Sequence, residues 1–165
     1  MDVDPVGAAP GWAAAIEASA LGAFMRGASA AYPLANLGHL LGLVLLVGSV
    51  LLLDLRLLGA GRRLAAEAVS QAVTPTMLAG GALLVVTGGL LFAADARSLV
   101  VNAAFLWKLG LVGAACANAV LFRALWSRAL GDWDAAAPRA ARVQVAVSLG
   151  LWLTVAALGR LIAYV

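Results

Sequence analysis

The stretch NLGHLLGLVLLVGSVLLLDLRLLG, residues 36–59, decides the fold class of this chain. A bilayer core of about 30 Å needs roughly 20 apolar residues in a helix, so the stretch is long enough to cross it. It holds the single histidine of the chain, His39, near its start, and Asp54 and Arg56 near its end. The run therefore predicts a transmembrane helix that carries titratable groups.

The composition of the whole chain supports this interpretation. Of its 165 residues, 64% are apolar and 12% are charged, and the mean hydropathy is +1.02. Soluble domains average about 45–50% apolar and about 25% charged residues. We therefore predict an integral membrane protein with one compact domain. The net charge is +3, but no basic stripe lies outside the short loops, which excludes a nucleic-acid partner.

Four apolar stretches have the length of a membrane span: residues 36–58, 76–94, 99–122 and 143–165. Their short connections predict an all-α membrane fold, an up-down bundle of four transmembrane helices. Pro75 precedes the second stretch, where its missing N–H is harmless. Residues 36–165 thus form the transmembrane domain.

Residues 1–35 form a separate N-terminal segment. Within it, residues 11–31 mix apolar side chains with Glu17 and Arg26, which is typical of a short amphipathic helix lying in the membrane interface. Tyr32 and Pro33 are expected to end this helix. The acidic start of the chain lacks the basic region of a signal peptide, so we expect no cleavage.

The distribution of arginine and lysine predicts the orientation. The two connections on one side hold seven arginines, whereas the loops of the other side hold Arg26 and Arg97; the seven are Arg56, Arg62, Arg63, Arg123, Arg128, Arg139 and Arg142. Cytoplasmic loops carry such an excess of basic residues. We therefore expect a multi-pass protein of the bacterial inner (plasma) membrane, in contact with lipid, with both termini periplasmic.

Polar residues from all four spans converge on the predicted periplasmic half; they are His39, Asp95, Lys108, Arg160 and Tyr164. Charged groups inside a membrane usually face the interior and have partners. Lys108 and Arg160 have only Asp95 in obvious reach. Because two cations face one carboxylate, an additional anionic partner is favoured. It could be a ligand carboxylate, a haem propionate, a lipid headgroup or a neighbouring subunit. The alternative is that both side chains snorkel to lipid headgroups.

His39 has more than one interpretation. The plainer one is a neutral imidazole hydrogen-bonded to a neighbouring helix. The more specific one is that His39 ligates the iron of haem b, with Lys108, Arg160 and Tyr164 in the binding site and Trp152 in contact with the haem ring. Haem in four-helix membrane cytochromes usually has two histidine ligands, so a second copy, another subunit or an open position would complete the site. A proton-linked or quinone role is a further alternative.

Copper is a weaker prediction. Met25, Met77 and Cys116 lie at different depths and form no cluster of soft ligands. At the opposite end, Asp54, Arg56 and Asn118 are predicted to form a structural latch. No hydrolase, kinase or dinucleotide-binding motif is present, so an enzyme is not expected.

Small residues are predicted to mediate helix packing, because they let backbones approach closely in lipid. The first span has the pair Gly38 and Gly42 beside His39. The other candidates lie on the second and third spans: Gly80, Gly81, Gly88, Gly89, Gly110 and Ala114.

Five stretches occur in a familiar order: YPLANLGHLLG, GSVLLLDLRLLG, TGGLLF, FLWKLGLV and SLGLWLTVAALGRLIAY. From about Trp12 to Tyr164, the chain resembles a family of small four-helix bacterial inner-membrane proteins known only as a domain of unknown function. That family is loosely similar to the membrane part of copper-resistance D-like proteins. The resemblance implies the fold but no established activity. It marks as family-like positions His39, Asp54, Arg56, Lys108, Asn118 and Arg160.

The leading hypothesis from the sequence is a non-catalytic membrane subunit or module of the electron-transfer type. It would bind haem b or another anionic small ligand in its periplasmic half. A copper-handling or small-solute transporter-like protein is one alternative. A structural anchor in a larger membrane complex is another, and a homodimer or other membrane subunits are candidate partners.

Overall fold

A computed structural model of the protein describes residues 9–161, and the side chains of residues 9–159. This part of the chain is helical and contains no strand. A 3-10 turn spans Ser127–Leu130. The helices are α1 (Gly11–Ala18), α2 (Ala20–Gly27), α3 (Ala31–Leu57), α4 (Ala66–Ala94), α5 (Ala96–Val101), α6 (Ala103–Trp126), α7 (Trp133–Ala136) and α8 (Arg139–Leu161).

Four of the described helices, α3, α4, α6 and α8, are long and apolar enough to cross a membrane. They alternate in direction along the chain, so the predicted all-α bundle of a multi-pass membrane protein is confirmed. We call the end at which α3 begins the histidine end and the end at which it finishes the arginine end. With 27 residues, α3 is about 40 Å long at 1.5 Å per residue, which exceeds the hydrocarbon core.

The long helices begin and end at different residues from those predicted. α4 begins at Ala66, so Pro75 lies inside the helix rather than at its start. The proline has no N–H, and the helix forgoes its hydrogen bond to the carbonyl of residue 71. The prediction began α3, α4 and α8 too late, because polar residues in or near their first turns interrupt the apolar pattern. It began α6 too early, because it ran through the break at Asn102 that separates α5 from α6.

The N-terminal segment contains two short helices rather than one. They separate at Ser19, whose hydroxyl oxygen accepts a hydrogen bond from the Gly22 N–H (3.2 Å) and so caps α2. Arg26 donates to the Ala94 carbonyl (2.9 Å), and the Glu17 carboxylate accepts from the Arg97 N–H (3.0 Å). These bonds hold α1 and α2 on α4 and α5 at the histidine end.

The start of α3 also differs from the prediction. Tyr32 and Pro33, which were expected to end the interfacial helix, lie in the first turn of α3. A proline is tolerated there, because the first N–H groups of a helix have no partner within it. His39 is consequently two turns inside its helix, about 12 Å from the start of α3 at 1.5 Å per residue.

The closest helix contact joins α3 and α4. A Cβ atom added at Gly80 would lie 2.6 Å from the Leu46 nitrogen and 2.9 Å from the Gly42 carbonyl oxygen. One added at Gly42 would lie 3.1 Å from the Gly80 carbonyl oxygen. The two backbones therefore touch where both side chains are hydrogen, which is the close packing that small residues permit in membranes.

Only some of the predicted small-residue contacts form. Gly38 faces Thr87, and Gly88 faces His39. In contrast, a Cβ atom at Gly81, Gly89 or Gly110 would have no neighbour within 4 Å, and Ala114 is exposed. Gly81 and Gly89 each follow a packed glycine by one position, and one residue turns a helix by about 100°, which carries them off the contact face.

The four long helices pack in the order α4, α3, α8, α6. α3 lies against α4 and α8, and α6 packs on α8, whereas the backbones of α4 and α6 stay apart. At the arginine end a buried cluster joins α3, α6, α7 and α8, and it includes Leu57, Phe122, Trp133 and Val145. Nearer the middle, Val47, Val50, Ala115 and Trp152 form a second cluster.

Substitution of Gly80 by alanine tests the contact between α3 and α4. Alanine favours helices by up to about 1 kcal/mol over glycine, but at Gly80 its methyl group would overlap backbone atoms of α3. We expect Gly80→Ala to lower the free energy of unfolding by about 1–3 kcal/mol. Denaturant unfolding in detergent, followed by circular dichroism, measures this change.

Gly81→Ala is the matched control, because the added methyl group meets no atom within 4 Å. It is expected to leave stability unchanged or to raise it slightly. Equal destabilisation by the two substitutions would contradict the close contact.

Candidate functional site

His39 contacts α4 through a short chain of hydrogen bonds. Its Nδ1 lies 3.0 Å from the Thr87 hydroxyl oxygen, and Thr87 donates to the Leu83 carbonyl at 2.6 Å. A hydroxyl has one hydrogen, which is engaged with Leu83, so the Thr87 oxygen accepts from the His39 Nδ1–H. In the neutral ring the other nitrogen, Nε2, then carries a free lone pair.

Two glycines make room for this pair of side chains. A Cβ atom at Gly88 would lie 3.2 Å from His39 Cε1, and one at Gly38 would lie 3.0 Å from the Thr87 methyl carbon. His39 itself is half-buried. The imidazole is thus held on one side by α4, with Nε2 as the nitrogen left to bind a ligand.

Lys108 reaches from α6 to α8 at the same end of the bundle. Its Nζ and Cε lie 3.7 and 3.8 Å from the position of a Cβ atom on Gly159. Its charge acts on the His39 ring at this end of the bundle. Within the described residues, no hydrogen bond or ion pair joins Lys108 to an acidic side chain.

Asp95, predicted as the nearby anion, has a different role. It lies between α4 and α5, where its carbonyl accepts a hydrogen bond from the Ser98 hydroxyl (3.0 Å). Its carboxylate interacts with the Tyr32 hydroxyl. Arg160 follows Gly159 in α8, but its side chain is outside the described part of the chain, as is all of Tyr164.

At the arginine end, Arg56 pairs with Asp134 rather than with Asp54. Its guanidinium donates to both carboxylate oxygens, at 3.1 Å and 2.5 Å, and its Nε donates to the Leu64 carbonyl at 2.6 Å. Beside it, the Trp133 indole N–H donates to the Leu57 carbonyl (2.8 Å). These bonds tie both loops of this end to the last turn of α3.

The three residues predicted to form a latch, Asp54, Arg56 and Asn118, have different surroundings. Asn118 exchanges hydrogen bonds with Gln144 of α8: its side chain donates to the Gln144 carbonyl (3.4 Å), and the Gln144 side chain donates back to the Asn118 carbonyl (3.1 Å). Asp54 is buried and lines a cleft with Trp152. Trp152 thus lies near mid-bundle, in the cluster with Val50 and Ala115.

Sequence reasoning missed two residues that organise these polar groups, Asp134 and Gln144, and it missed the pairing of Thr87 with His39. Thr87 lies beside Gly88 in the TGG stretch, and this glycine marks a close approach. Asp134 follows a tryptophan in a connection that also holds Asp132 and four arginines. Neither pattern identifies the partner, because these contacts join residues that are far apart in the sequence.

Comparison with known proteins places the chain in a family. Residues 11–165 match the family described as "Family of unknown function (DUF6644)". The match covers nearly the whole chain, so the protein belongs to this family. No curated protein and no solved structure matches the chain. The expected family of unknown function is thus confirmed, while the likeness to copper-resistance D-like proteins has no support in these comparisons.

The pair of Arg56 and Asp134 predicts a pH dependence of stability. The hydrogen bonds from Arg56 hold the pKa of the Asp134 carboxyl below its ordinary value of 3.8, and the charges of Arg56, Arg62 and Arg142 lower it further. A carboxyl whose pKa is lower in the folded state stabilises the fold above its unfolded pKa. That contribution is lost as the pH falls through the lower folded pKa.

We therefore expect wild type to be more stable than Asp134→Asn above about pH 4, with the difference shrinking as the pH falls below it. Thermal unfolding in detergent across this range measures the difference. Asp132→Asn is the control, because this neighbouring exposed aspartate occupies the N-cap position of α7 but its side chain makes no capping hydrogen bond. A difference between wild type and Asp134→Asn that stays constant with pH would contradict the assigned role.

Proposed function

We propose that this member of a family of unknown function is a non-catalytic membrane module that binds an anionic small molecule at the histidine end. The proposal rests on the charge of Lys108. Its ammonium group lies on Gly159 of α8 and has no acidic partner within the described residues. A cation inside a bundle requires a partner, because the membrane offers no water to solvate it.

Within residues 9–159, the acidic side chains nearest to this end support the proposal, because they are already engaged. Glu17 accepts from the Arg97 N–H, and Asp95 interacts with Tyr32. The charge of Lys108 acts on the His39 ring, and the neutral imidazole cannot compensate that charge. An anion bound beside the two side chains would neutralise Lys108.

Haem b is the anionic ligand that we propose to test first. The donor set fits it: His39 Nε2 has the free lone pair that iron requires, and Lys108 has the charge to pair with a propionate. When bound, haem b would supply one-electron transfer. The chain has one histidine, so a second copy would supply a second histidine ligand if the iron takes two.

A bare copper ion receives less support. Residues 9–161 contain no group of three or more histidine, cysteine, aspartate or glutamate side chains placed to hold a metal ion. Cys116 is exposed on α6. Copper sites are commonly built from several soft or imidazole ligands, which these residues do not bring together.

We also propose that the arginine end faces the cytoplasm. The arginines of both connections at that end, seven in the sequence, follow the bias of cytoplasmic loops. The histidine end and both termini would then be periplasmic in a bacterial inner membrane, which would place the anion site on the periplasmic side.

The absorbance spectrum of protein purified from haem-replete cells tests haem ligation. We expect a Soret band in wild type that is lost or shifted in His39→Ala, because the iron loses its ligand. Leu40→Ala is the control, since this neighbouring side chain is 53% exposed. A band that is absent from wild type or unchanged in His39→Ala would exclude haem ligation by His39.

Anion binding has its own test, which does not depend on haem. Native mass spectrometry of wild type, Lys108→Met and Arg128→Met compares the bound acidic molecules. We expect wild type and Arg128→Met to retain a bound acid that Lys108→Met loses, because Arg128 is exposed at the other end. Identical spectra for the three proteins would contradict the proposal.

A further inference from the structure

A cavity lies away from the histidine end, between α4 and α6. The backbones of these two helices stay apart, and the cleft between them has a volume of about 290 Å³. α4 contributes Thr74, Met77 and Leu78 to its walls, and α6 contributes Asn118, Val120 and Phe122, with Arg123 at the arginine end. Leu78 and Val120 are 68% and 69% exposed, so the mouth of the cleft is apolar and opens sideways.

The floor of the cleft carries two buried polar groups. Asp54 of α3 and Trp152 of α8 are only 5% and 3% exposed, and both line the cleft. The Asp54 Oδ2 atom and the Trp152 indole N–H have no hydrogen-bond partner within the described structure. Buried polar groups are almost always hydrogen-bonded, so two unpaired groups in one cavity indicate a missing partner.

The polar neighbours do not supply that partner, because each is engaged. Ser148 interacts with the Asp54 carboxylate, which still leaves Oδ2 unpaired. Arg56 is bound to Asp134, and Arg123 donates to the Thr74 hydroxyl. Asn118 is bound to Gln144. These polar groups near the cleft thus have hydrogen-bond partners. The Asp54 Oδ2 acceptor and the Trp152 N–H donor remain unpaired at its floor.

We propose that this cleft binds an apolar molecule through a neutral head group that bears a hydroxyl or carbonyl oxygen. The indole N–H donates to that oxygen, and the Asp54 carboxyl accepts from a hydroxyl or, when protonated, donates to a carbonyl. The volume is at the lower limit for ligand pockets, about 300–1,000 Å³, which suits a single ring or a short chain end. The apolar remainder of the molecule lies between Leu78 and Val120, towards the lipid.

Charge favours a neutral head group over a lipophilic cation. A carboxylate in an apolar cleft would attract a cation, but Arg123 also lines the cleft and would repel one. The indole N–H presents a partial positive charge and has no lone pair to offer. The proposal is independent of the anion site, because it uses other residues at another depth of the bundle.

The Trp152 indole resonance in a nitrogen-15 NMR spectrum of the full chain in nanodiscs tests this inference. Trp152→Phe identifies the resonance by its loss. Titration with duroquinone, a single-ring quinone with carbonyl oxygens, and with 1-decanol, an alcohol, distinguishes the two sources of a head-group oxygen. We expect a saturating shift with at least one of these probes, and a weaker or absent response to dodecyltrimethylammonium.

Variants at Asp54 test whether the shift of the Trp152 resonance reports binding inside the cleft. We expect Asp54→Leu to weaken binding of the active probe about tenfold or more, because a buried hydrogen bond is lost. Asp54→Asn, which retains a donor and an acceptor, is expected to bind within a few-fold of wild type. Thr154→Val is the control, since this exposed residue of α8 bonds only to its own helix.

Three results would overturn the proposal. One is the absence of a saturating shift with either neutral probe. Another is equal affinity of wild type and Asp54→Leu for the active probe. The third is tighter binding of the quaternary ammonium cation than of either neutral probe, which would assign the cleft to cations instead.

Discussion

The contact of α3 with α4 at Gly42 and Gly80 is the constraint on which the other features of this bundle depend. Lipid provides no hydrophobic force between apolar helices, so close van der Waals packing must hold them together. At this point the two backbones leave no space for a side chain. The same face carries Gly38, Gly88 and the hydrogen bond from His39 to Thr87, so the glycine contact also positions the imidazole.

The pairing of α3 with α4 leaves α6 to be held by α8. Asn118 and Gln144 exchange two hydrogen bonds, and Trp126 donates its indole N–H to the Gln144 side chain at 2.8 Å. Hydrogen bonds of this kind join membrane helices where apolar packing alone is weak. The bundle thus consists of two tight pairs joined through α3 and α8, and its open side is the gap between α4 and α6.

Much of the fold could be predicted from the sequence, because membrane spans are long and their apolar character is continuous. The four helices, their alternation and the Gly42 contact follow from that pattern and from residue size. The location of His39 and Lys108 at the same end of the bundle could also be predicted, because alternating spans bring residues 39 and 108 there. The division of the N-terminal segment at Ser19 was missed, because one hydroxyl cap interrupts an otherwise continuous alanine-rich stretch.

The polar partners could not be predicted, because uniformly apolar helices do not reveal which faces meet. Arg56 has Asp54 two positions away in the sequence, yet a side chain two residues away on a helix points to another side. The actual partner, Asp134, lies in a loop that must fold back onto α3. Asp54 and Trp152 share one cleft only because α3 packs between α4 and α8, and that order of packing is a tertiary property.

The anion proposed at the histidine end should be visible beside Lys108 and His39. A crystal structure of the protein grown from lipidic mesophase, without any added ligand, would test this. We expect non-protein density in contact with both Lys108 Nζ and His39 Nε2. Protein side chains filling that space, with Lys108 extended to the lipid headgroups, would contradict it.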